Sequence, residues 1–195
     1  LYDKETKLRV QRGPMLITHW GLSGPAVLKL SAWVARLLNE RHYHANLLIN
    51  FFPDLSRDEV VKRLNKYKEA HGKRRIATEC PFELPKRYWS FILKRAAITD
   101  ELIWSYATKD QLAAICAEVT EARFVVSGKG IFKEEFVTCG GVALDEVDFR
   151  TMQSKVRSGL FFAGEVLDID GITGGFNFQS AWTTGWIAGQ KISGK

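Results

Sequence analysis

Cysteine is scarce in this sequence and never paired. Cys80, Cys116 and Cys139 lie far apart. There is no CxxC pair, and no Cys/His spacing suits a structural zinc site. The thiols are therefore expected to be buried or idle, in a reducing compartment (the cytoplasm or an organelle) rather than in a secreted protein. His42 and His44 stand two apart without a third ligand in view, so no metal is expected. No apolar run approaches the ~18 residues of a membrane span. The first residues, Leu1-Tyr2-Asp3-Lys4-Glu5, lack the apolar stretch of a secretory leader. No membrane partner is expected. An initiator methionine is also lacking, so the chain is read as a fragment or a trimmed product. Only 5 of 195 residues are proline and 16 are glycine, which excludes collagen-like and Pro/Gly-rich chains. With 46% hydrophobic and 26% charged residues, the chain has the composition of a folded domain and not of a disordered one.

The net charge of +6 is unevenly spread. Residues 140–195 carry five Lys/Arg and six Asp/Glu, a balance of −1, so the rest carries +7. Much of it lies between Arg57 and Arg75, including Lys73-Arg74-Arg75. A solvated helix face accounts for such a run without any partner. A polyanion-binding surface is the competing reading. No RNA- or DNA-binding motif accompanies the charge, so nucleic acid is not the expected partner.

Leu8 and Val10 alternate with polar residues, and Met15-Leu16-Ile17-Thr18 follows a Gly13-Pro14 turn; both read as strands. Ser23 precedes a helix start at Pro25, whose missing N–H would be unpaired there anyway. Val27, Leu30, Val34, Leu37 and Leu38 continue that helix. Residues 47–52 read as a buried strand stopped by Pro53. Ser56-Arg57-Asp58-Glu59 is a capping box, and Val60, Leu64 and Tyr67 give the next helix an apolar face. Pro85 opens a further helix with Trp89, Ile92 and Leu93 inward, and Thr99 caps a short one through Tyr106. Thr108-Lys109-Asp110-Gln111 is a second capping box, followed by Leu112, Ile115, Cys116 and Val119. Short connections favour a compact bundle. Strand pattern returns at Phe124-Val125-Val126 and, after the Gly128-Lys129-Gly130 turn, at Phe136-Val137-Thr138. The sequence thus divides into a β module, residues 1–52 and 122–139, a helical bundle inserted in it, 53–121, and a C-terminal part, 140–195.

That last part carries the chemistry. Gly159-Leu160-Phe161-Phe162-Ala163-Gly164-Glu165 reads as a buried parallel strand. It ends in a glycine that admits close backbone approach and a carboxylate at the sheet edge where open α/β sheets bind ligands. Asp168, Asp170 and Gly171 form a polar turn. Thr173-Gly174-Gly175 then leads through Phe176-Asn177-Phe178-Gln179 into a helix, which exposes backbone N–H groups to an anionic or electron-rich ligand. Phe176 or Phe178 can pack on a flat ring, or the segment is a tight turn with its aromatics in the core. Trp182 and Trp186, at i, i+4 spacing, read as core residues. Gly21-Leu22-Ser23-Gly24 fails as a nucleophile elbow, because Pro25 stands where a glycine is needed. His19 reads as a structural histidine at a strand end, with a general acid as the alternative.

Thr151-Met152-x-Ser154-Lys155, the run from Gly159 to Asp168, and Asp170-Gly171-x-Thr173-Gly174-Gly175-Phe176-Asn177-x-Gln179 closely resemble the C-terminal signature of the BaiN/RdsA-type family of NAD(P)/FAD-dependent oxidoreductases. Thr18-His19-x-Gly21-Leu22-Ser23-Gly24-Pro25-Ala26 resembles that family's internal motif, and Phe136-Val137-Thr138-x-Gly140-Gly141-Val142 its return into the flavin domain. The resemblance implies an α+β chain: a fragment of an α/β flavoprotein in which a β module with an inserted helical bundle precedes the C-terminal strand–helix part of a Rossmann-like FAD domain. It places Gly164 and Glu165 near the ribityl–pyrophosphate of FAD. Gly174, Gly175, Phe176 and Asn177 would lie by the isoalloxazine, with Thr173 in the same binding motif. Cys139 replaces the usual small alanine and is read as tolerated. No catalytic acid or base is assigned.

The family's opening strand–GxGxxG–helix, which holds the adenosine half of FAD, is nowhere in the sequence, nor is its following acidic residue. The implied partner is that N-terminal half, in cis or in trans. FAD is expected in the complete protein and not in this chain alone, with NAD(P)H as reductant and a small molecule as electron acceptor. The alternative is a non-enzymatic module that binds a partner or nucleic acid through the basic bundle.

Overall fold

The computed structural model describes residues 1–3, 6–7, 9–130 and 137–194. Its contacts divide the chain into two units, one of Leu1–Ala45 with Val126–Lys195, the other of Asn46–Val125. The mixture of helices and small sheets makes the chain α+β, as the sequence implies. Among the described residues, no helix is long and apolar enough to cross a membrane.

In the first unit, β1 (Tyr2–Asp3) pairs antiparallel with β2 (Thr6–Lys7), and β3 (Leu16–Ile17) with β4 (Leu22–Ser23). Leu8, and the Phe136 of the expected later strand, lie outside the described residues. Val10 belongs to no strand and is exposed. Thr18 closes the β3–β4 turn, its hydroxyl donating to Gly21 O at 2.9 Å and its backbone N–H to the same oxygen at 2.8 Å. Gly24 follows at φ +93°, and a Cβ there would meet Leu16 N at 2.9 Å. That close approach requires glycine, and it hands the chain to Pro25, the first residue of α1 (Pro25–Trp33). The helix expected through Leu38 is broken at Val34, whose φ of −121° is non-helical, and resumes as α2 (Ala35–Glu40). Val34 itself is buried, so packing rather than propensity sets the break.

β5 (His44–Ile49) stops before the expected Phe52. Asn50 ends it ahead of Pro53: its Oδ1 accepts the Phe52 N–H at 2.9 Å, an Asx turn that competes with the strand ladder. The second unit is then built on three helices. α3 (Arg57–His71) begins with the expected box, Ser56 and Glu59 capping each other's backbone N–H. α4 (Lys86–Arg95) follows Pro85. α5 (Lys109–Thr120) begins with the Thr108–Gln111 box. Val60, Leu64, Trp89, Ile92, Leu93, Ile115, Cys116 and Val119 form one buried core. Each fully buried aliphatic side chain there contributes about 1.5–3 kcal/mol of burial free energy. Trp89, one of two fully buried tryptophans in this core, donates its indole N–H to Ile76 O at 2.7 Å, whereas the Trp104 indole N–H is buried without a hydrogen-bond partner among the described residues. The helix expected from Thr99 to Tyr106 contracts to one 3₁₀ turn (Trp104–Tyr106), because Ile76 N–H binds Leu102 O and Trp104 N–H binds Arg74 O; these ties hold the segment extended. β6 (Ala122–Ser127) lies next to β5.

In the C-terminal part of the first unit, β7 (Val147–Asp148) pairs antiparallel with β8 (Gln153–Ser154). The long α6 (Phe176–Ile192) follows. Val147, Met152, Leu167 and Ala188 form the core there, with Val142, Phe162, Ala163, Ile169 and Ile187 against it. The expected buried parallel strand at residues 160–163 is not formed. Leu160 is exposed, and Phe161 makes only an isolated antiparallel bridge to Gln153. The hydrogen bonds of this run, Ser154 N–H to Leu160 O and Phe162 N–H to Met152 O, are spent on the β7–β8 hairpin. Parallel pairing occurs instead between Val142 and Leu167.

Candidate functional site

The residues singled out in the sequence lie in the loops before α6 and in its first turn. Gly164 has φ +76° and starts a 3₁₀ turn (Gly164–Val166). Its N–H donates to the buried Thr184 hydroxyl of α6 at 3.0 Å, which pins the turn to the helix. Glu165 is exposed. Its Oε1 accepts the backbone N–H of Thr138 at 3.0 Å, so this carboxylate organises the 137–142 segment and retains further acceptor capacity. In that segment Gly141 lies against the 166–168 backbone; a Cβ would meet Val166 O at 2.6 Å. Val142 N–H binds Val166 O and Asp168 N–H binds Val142 O.

Gly174 and Gly175 have φ +143° and +92°, and nothing lies within 4 Å of where their Cβ atoms would be. Gly175 is the N-cap of α6. No side chain caps this end, and its first turn has no acidic residue. The first amides of a 17-residue helix, with its positive dipole end, are thus presented without a protein acceptor on a side chain. Thr173 and Phe176 are exposed beside them. Asn177 is half-buried and accepts the Gly171 N–H at 2.8 Å while donating to Gly171 O at 3.0 Å. These two bonds fasten the loop that leads into α6. The aromatic ring of Phe176 lies over Gly171, where any Cβ would collide with it.

Trp182 and Trp186 are not core residues: they are 69% and 67% exposed. Their i, i+4 spacing does place them on one helix face, but the face that packs inward is that of Thr184 and Ala188. Two side-chain pairs leave no mark in the sequence. Arg36 holds both oxygens of Asp168 through Nη2, at 2.7 and 2.6 Å, and so ties α2 to the loop after the 3₁₀ turn. Asp170 hydrogen-bonds the Cys139 thiol and raises its pKa; burial adds to this and Arg36 opposes it. Asp168 and Asp170 were legible only as a polar turn, and a partner 132 residues away leaves no local signal. All three cysteines are free, Cys116 buried and the others half-buried. Among the described residues no cluster of metal-ligating side chains occurs. His44 turns its Nδ1 to His42 O.

Residues 1–137 match the family described as HI0933-like protein barrel and H2TH domain, and the chain belongs to that family, the one to which its motifs point. It is 34% identical to a ribosomal RNA dihydrouridine synthase of Escherichia coli over 94% of its own length and 43% of that protein's. It is 31% identical to the protein of that name from Haemophilus influenzae, over 92% of this chain and 42% of the relative. It is 28% identical to a 3-dehydro-bile acid delta(4,6)-reductase of Clostridium scindens, over 91% and 43%. The chain therefore spans less than half the length of these relatives.

Proposed function

We propose that the chain is the C-terminal part of an FAD-dependent oxidoreductase whose flavin is reduced by NAD(P)H and passes electrons to a further acceptor. The observation that carries this reading is the bare N-terminus of α6: two glycines without neighbours at their Cβ positions, no capping side chain and no first-turn acid. Such an end suits an electron-rich ring or a phosphate. The residues present fit FAD. Gly164 and Glu165 would face the ribityl–pyrophosphate part; Thr173, Gly174, Gly175 and Phe176 would border the ring, with Asn177 holding the loop that carries them. Bound flavin supplies hydride and electron transfer. The protein supplies orientation, electrostatics and exclusion of water. On this reading residues 140–195 complete a Rossmann-like domain, and residues 1–52 with 122–139 form a β module that carries the 53–121 helical insertion. The adenosine half of FAD is held by a GxGxxG-bearing half in cis or in trans, in a reducing compartment.

Joining this chain to that half should give a yellow protein absorbing near ~450 nm, as oxidised flavin does. Anaerobic NADH or NADPH should bleach it. A colourless but folded assembly refutes the proposal.

A second reading concerns the acceptor. Two relatives are named for ribosomal RNA, and Lys73, Arg74 and Arg75 are exposed. An RNA substrate would use such charge and would bind less tightly as salt rises. Salt-dependent binding of an RNA hairpin, lost in K73A/R75A, favours RNA over a small-molecule acceptor. It equally fits a non-enzymatic binding module, and flavin content separates the two.

A further inference from the structure

The helical unit holds a groove of about 450 Å³ along one side of α3. Asn65, Lys68, Glu69 and Gly72 line it at i, i+3, i+4 and i+7, the spacing of one helix side. Ser105 of the 3₁₀ turn and Lys109, the first residue of α5, complete it. Gly72 lets that turn lie close to the helix end: the Ser105 N–H reaches Gly72 O at 2.9 Å, and a Cβ on Gly72 would meet the Ser105 Cβ at 3.4 Å. The Lys68 ammonium is fixed by donating to Ala107 O at 2.7 Å, which leaves it two further donors. Lys109 is exposed and makes no hydrogen bond or ion pair among the described residues. Lys66, three residues before Glu69, and Lys73, next to Gly72, are likewise exposed and unpaired there. Glu69 is the one acidic side chain of the lining. Beside Ser105 stands Tyr106, 76% exposed.

We infer that this groove seats the sugar–phosphate backbone of a single-stranded RNA segment, with Lys68 and Lys109 on phosphates and Tyr106 under an unpaired base. Ammonium groups without carboxylate partners attract a polyanion. The Ser105 hydroxyl and the Asn65 amide suit phosphate and ribose oxygens, which position a nucleic acid without reading its sequence. An exposed phenol ring is a platform on which a splayed base stacks. A small anion would satisfy one or two lysines and leave Lys66, Lys73 and Tyr106 without a part. An acidic peptide would meet the charge and make no use of the ring. The assignment rests on the RNA reading given above, and it moves the contact from the Lys73–Arg75 run alone to a defined groove beside it.

The test titrates the full chain into a fluorescein-labelled RNA hairpin with a single-stranded loop and reads anisotropy across a salt series; no flavin is needed. Affinity should fall as salt rises. K68Q/K109Q removes both charges while glutamine keeps a donor for Ala107 O, and it should lower the slope of log affinity against log salt by about 1.4, each phosphate contact on a single strand contributing ~0.7. Y106A should weaken binding about five- to a hundredfold at unchanged slope, the worth of one stacked base, and Y106F should bind as the wild type does. Circular dichroism confirms that each variant is folded. An unchanged slope in K68Q/K109Q, wild-type affinity in Y106A, or displacement of the RNA by polyglutamate as readily as by unlabelled RNA of equal charge overturns the inference. Binding that is lost in K73A/R75A and indifferent to the groove variants overturns the groove and leaves the RNA reading standing. An RNA that does not bind at all overturns both.

Discussion

Asn177 closes the loop before α6 by taking both backbone groups of a single residue, Gly171: it accepts the N–H at 2.8 Å and donates to the carbonyl at 3.0 Å. One side-chain amide thus does the work of a backbone pair, from inside the first turn of the helix whose amides form the candidate site. Removing it frees both backbone groups of Gly171. Asn177→Ala is expected to accelerate amide exchange at Gly171 strongly, each lost hydrogen bond being worth about 0.5–1.5 kcal/mol. Asn177→Asp keeps the acceptor and loses the donor, so it should fall between. Exchange equal to wild type in Asn177→Ala would show that the loop is held by other contacts.

The capping boxes offer the clearest stability test. Ser56→Ala and Thr108→Ala each remove the acceptor of an N3 amide. Each should cost about 1 kcal/mol, visible as a lower urea midpoint at unchanged slope. Leu64→Ala, at a fully buried position of the same unit, should cost about 2–5 kcal/mol. If the cap variants cost as much as Leu64→Ala, the helices depend on their ends more than on their core.

These caps also show what was legible. A capping box is local: four consecutive residues contain donor and acceptor, and both boxes stand where the sequence put them. Val60, Leu64, Trp89, Ile92 and Ile115 were equally readable, because a 3.6-residue period needs no knowledge of the partner. The run at residues 160–163 shows the limit. Apolar content announced a strand, but a strand is defined by neighbours, and the hydrogen-bonding groups nearest to it belong to an antiparallel hairpin. The face of Trp182 and Trp186 shows a second limit. Periodicity says that two residues share a face and not whether that face is covered within this chain. The Arg36–Asp168 pair lay beyond reach because nothing local marks an arginine whose carboxylate is 132 residues away.

Burial and the Glu79 hydrogen bond push the Tyr67 phenol up to about 12, and burial pushes Tyr88 to about 12 as well. A group whose folded pKa is raised stabilises the fold fully below its unfolded pKa and loses that contribution as pH rises through the folded value. Stability of the helical unit should therefore decline between pH ~10, the ordinary phenol value, and ~12. Tyr67→Phe and Tyr88→Phe should each flatten part of that decline. A wild-type urea midpoint constant across this window would contradict it.

Cys139 tests the loop cluster chemically. Its thiol pKa is raised by hydrogen bonding to Asp170 first and burial second, with Arg36 opposing. Because the thiolate is the reactive form, Arg36→Ala should slow alkylation of Cys139 near neutral pH and Asp170→Ala should quicken it. Peptide mapping separates this site from Cys80 and Cys116. The same direction in both variants would mean that access, and not charge, controls the thiol.

The cofactor site itself is tested in the assembled flavoprotein. Glu165→Ala removes a charged acceptor and also releases the Thr138 N–H that it holds. A hydrogen bond to a charged group is worth about 1.5–3 kcal/mol, so FAD affinity should fall roughly ten- to a hundredfold. Gly174→Val should be at least as damaging for a different reason. Its φ of +143° is unfavourable for a β-branched residue, and its side chain would fill space now open beside the bare end of α6. Lys73→Ala and Lys109→Ala, in the helical unit, should leave flavin affinity unchanged. The comparison is made by flavin titration at fixed salt, with circular dichroism to confirm that each variant is folded. If the lysine variants lose FAD while Glu165→Ala and Gly174→Val keep it, the cofactor does not bind at the loops before α6, and the bare helix end must serve another ligand.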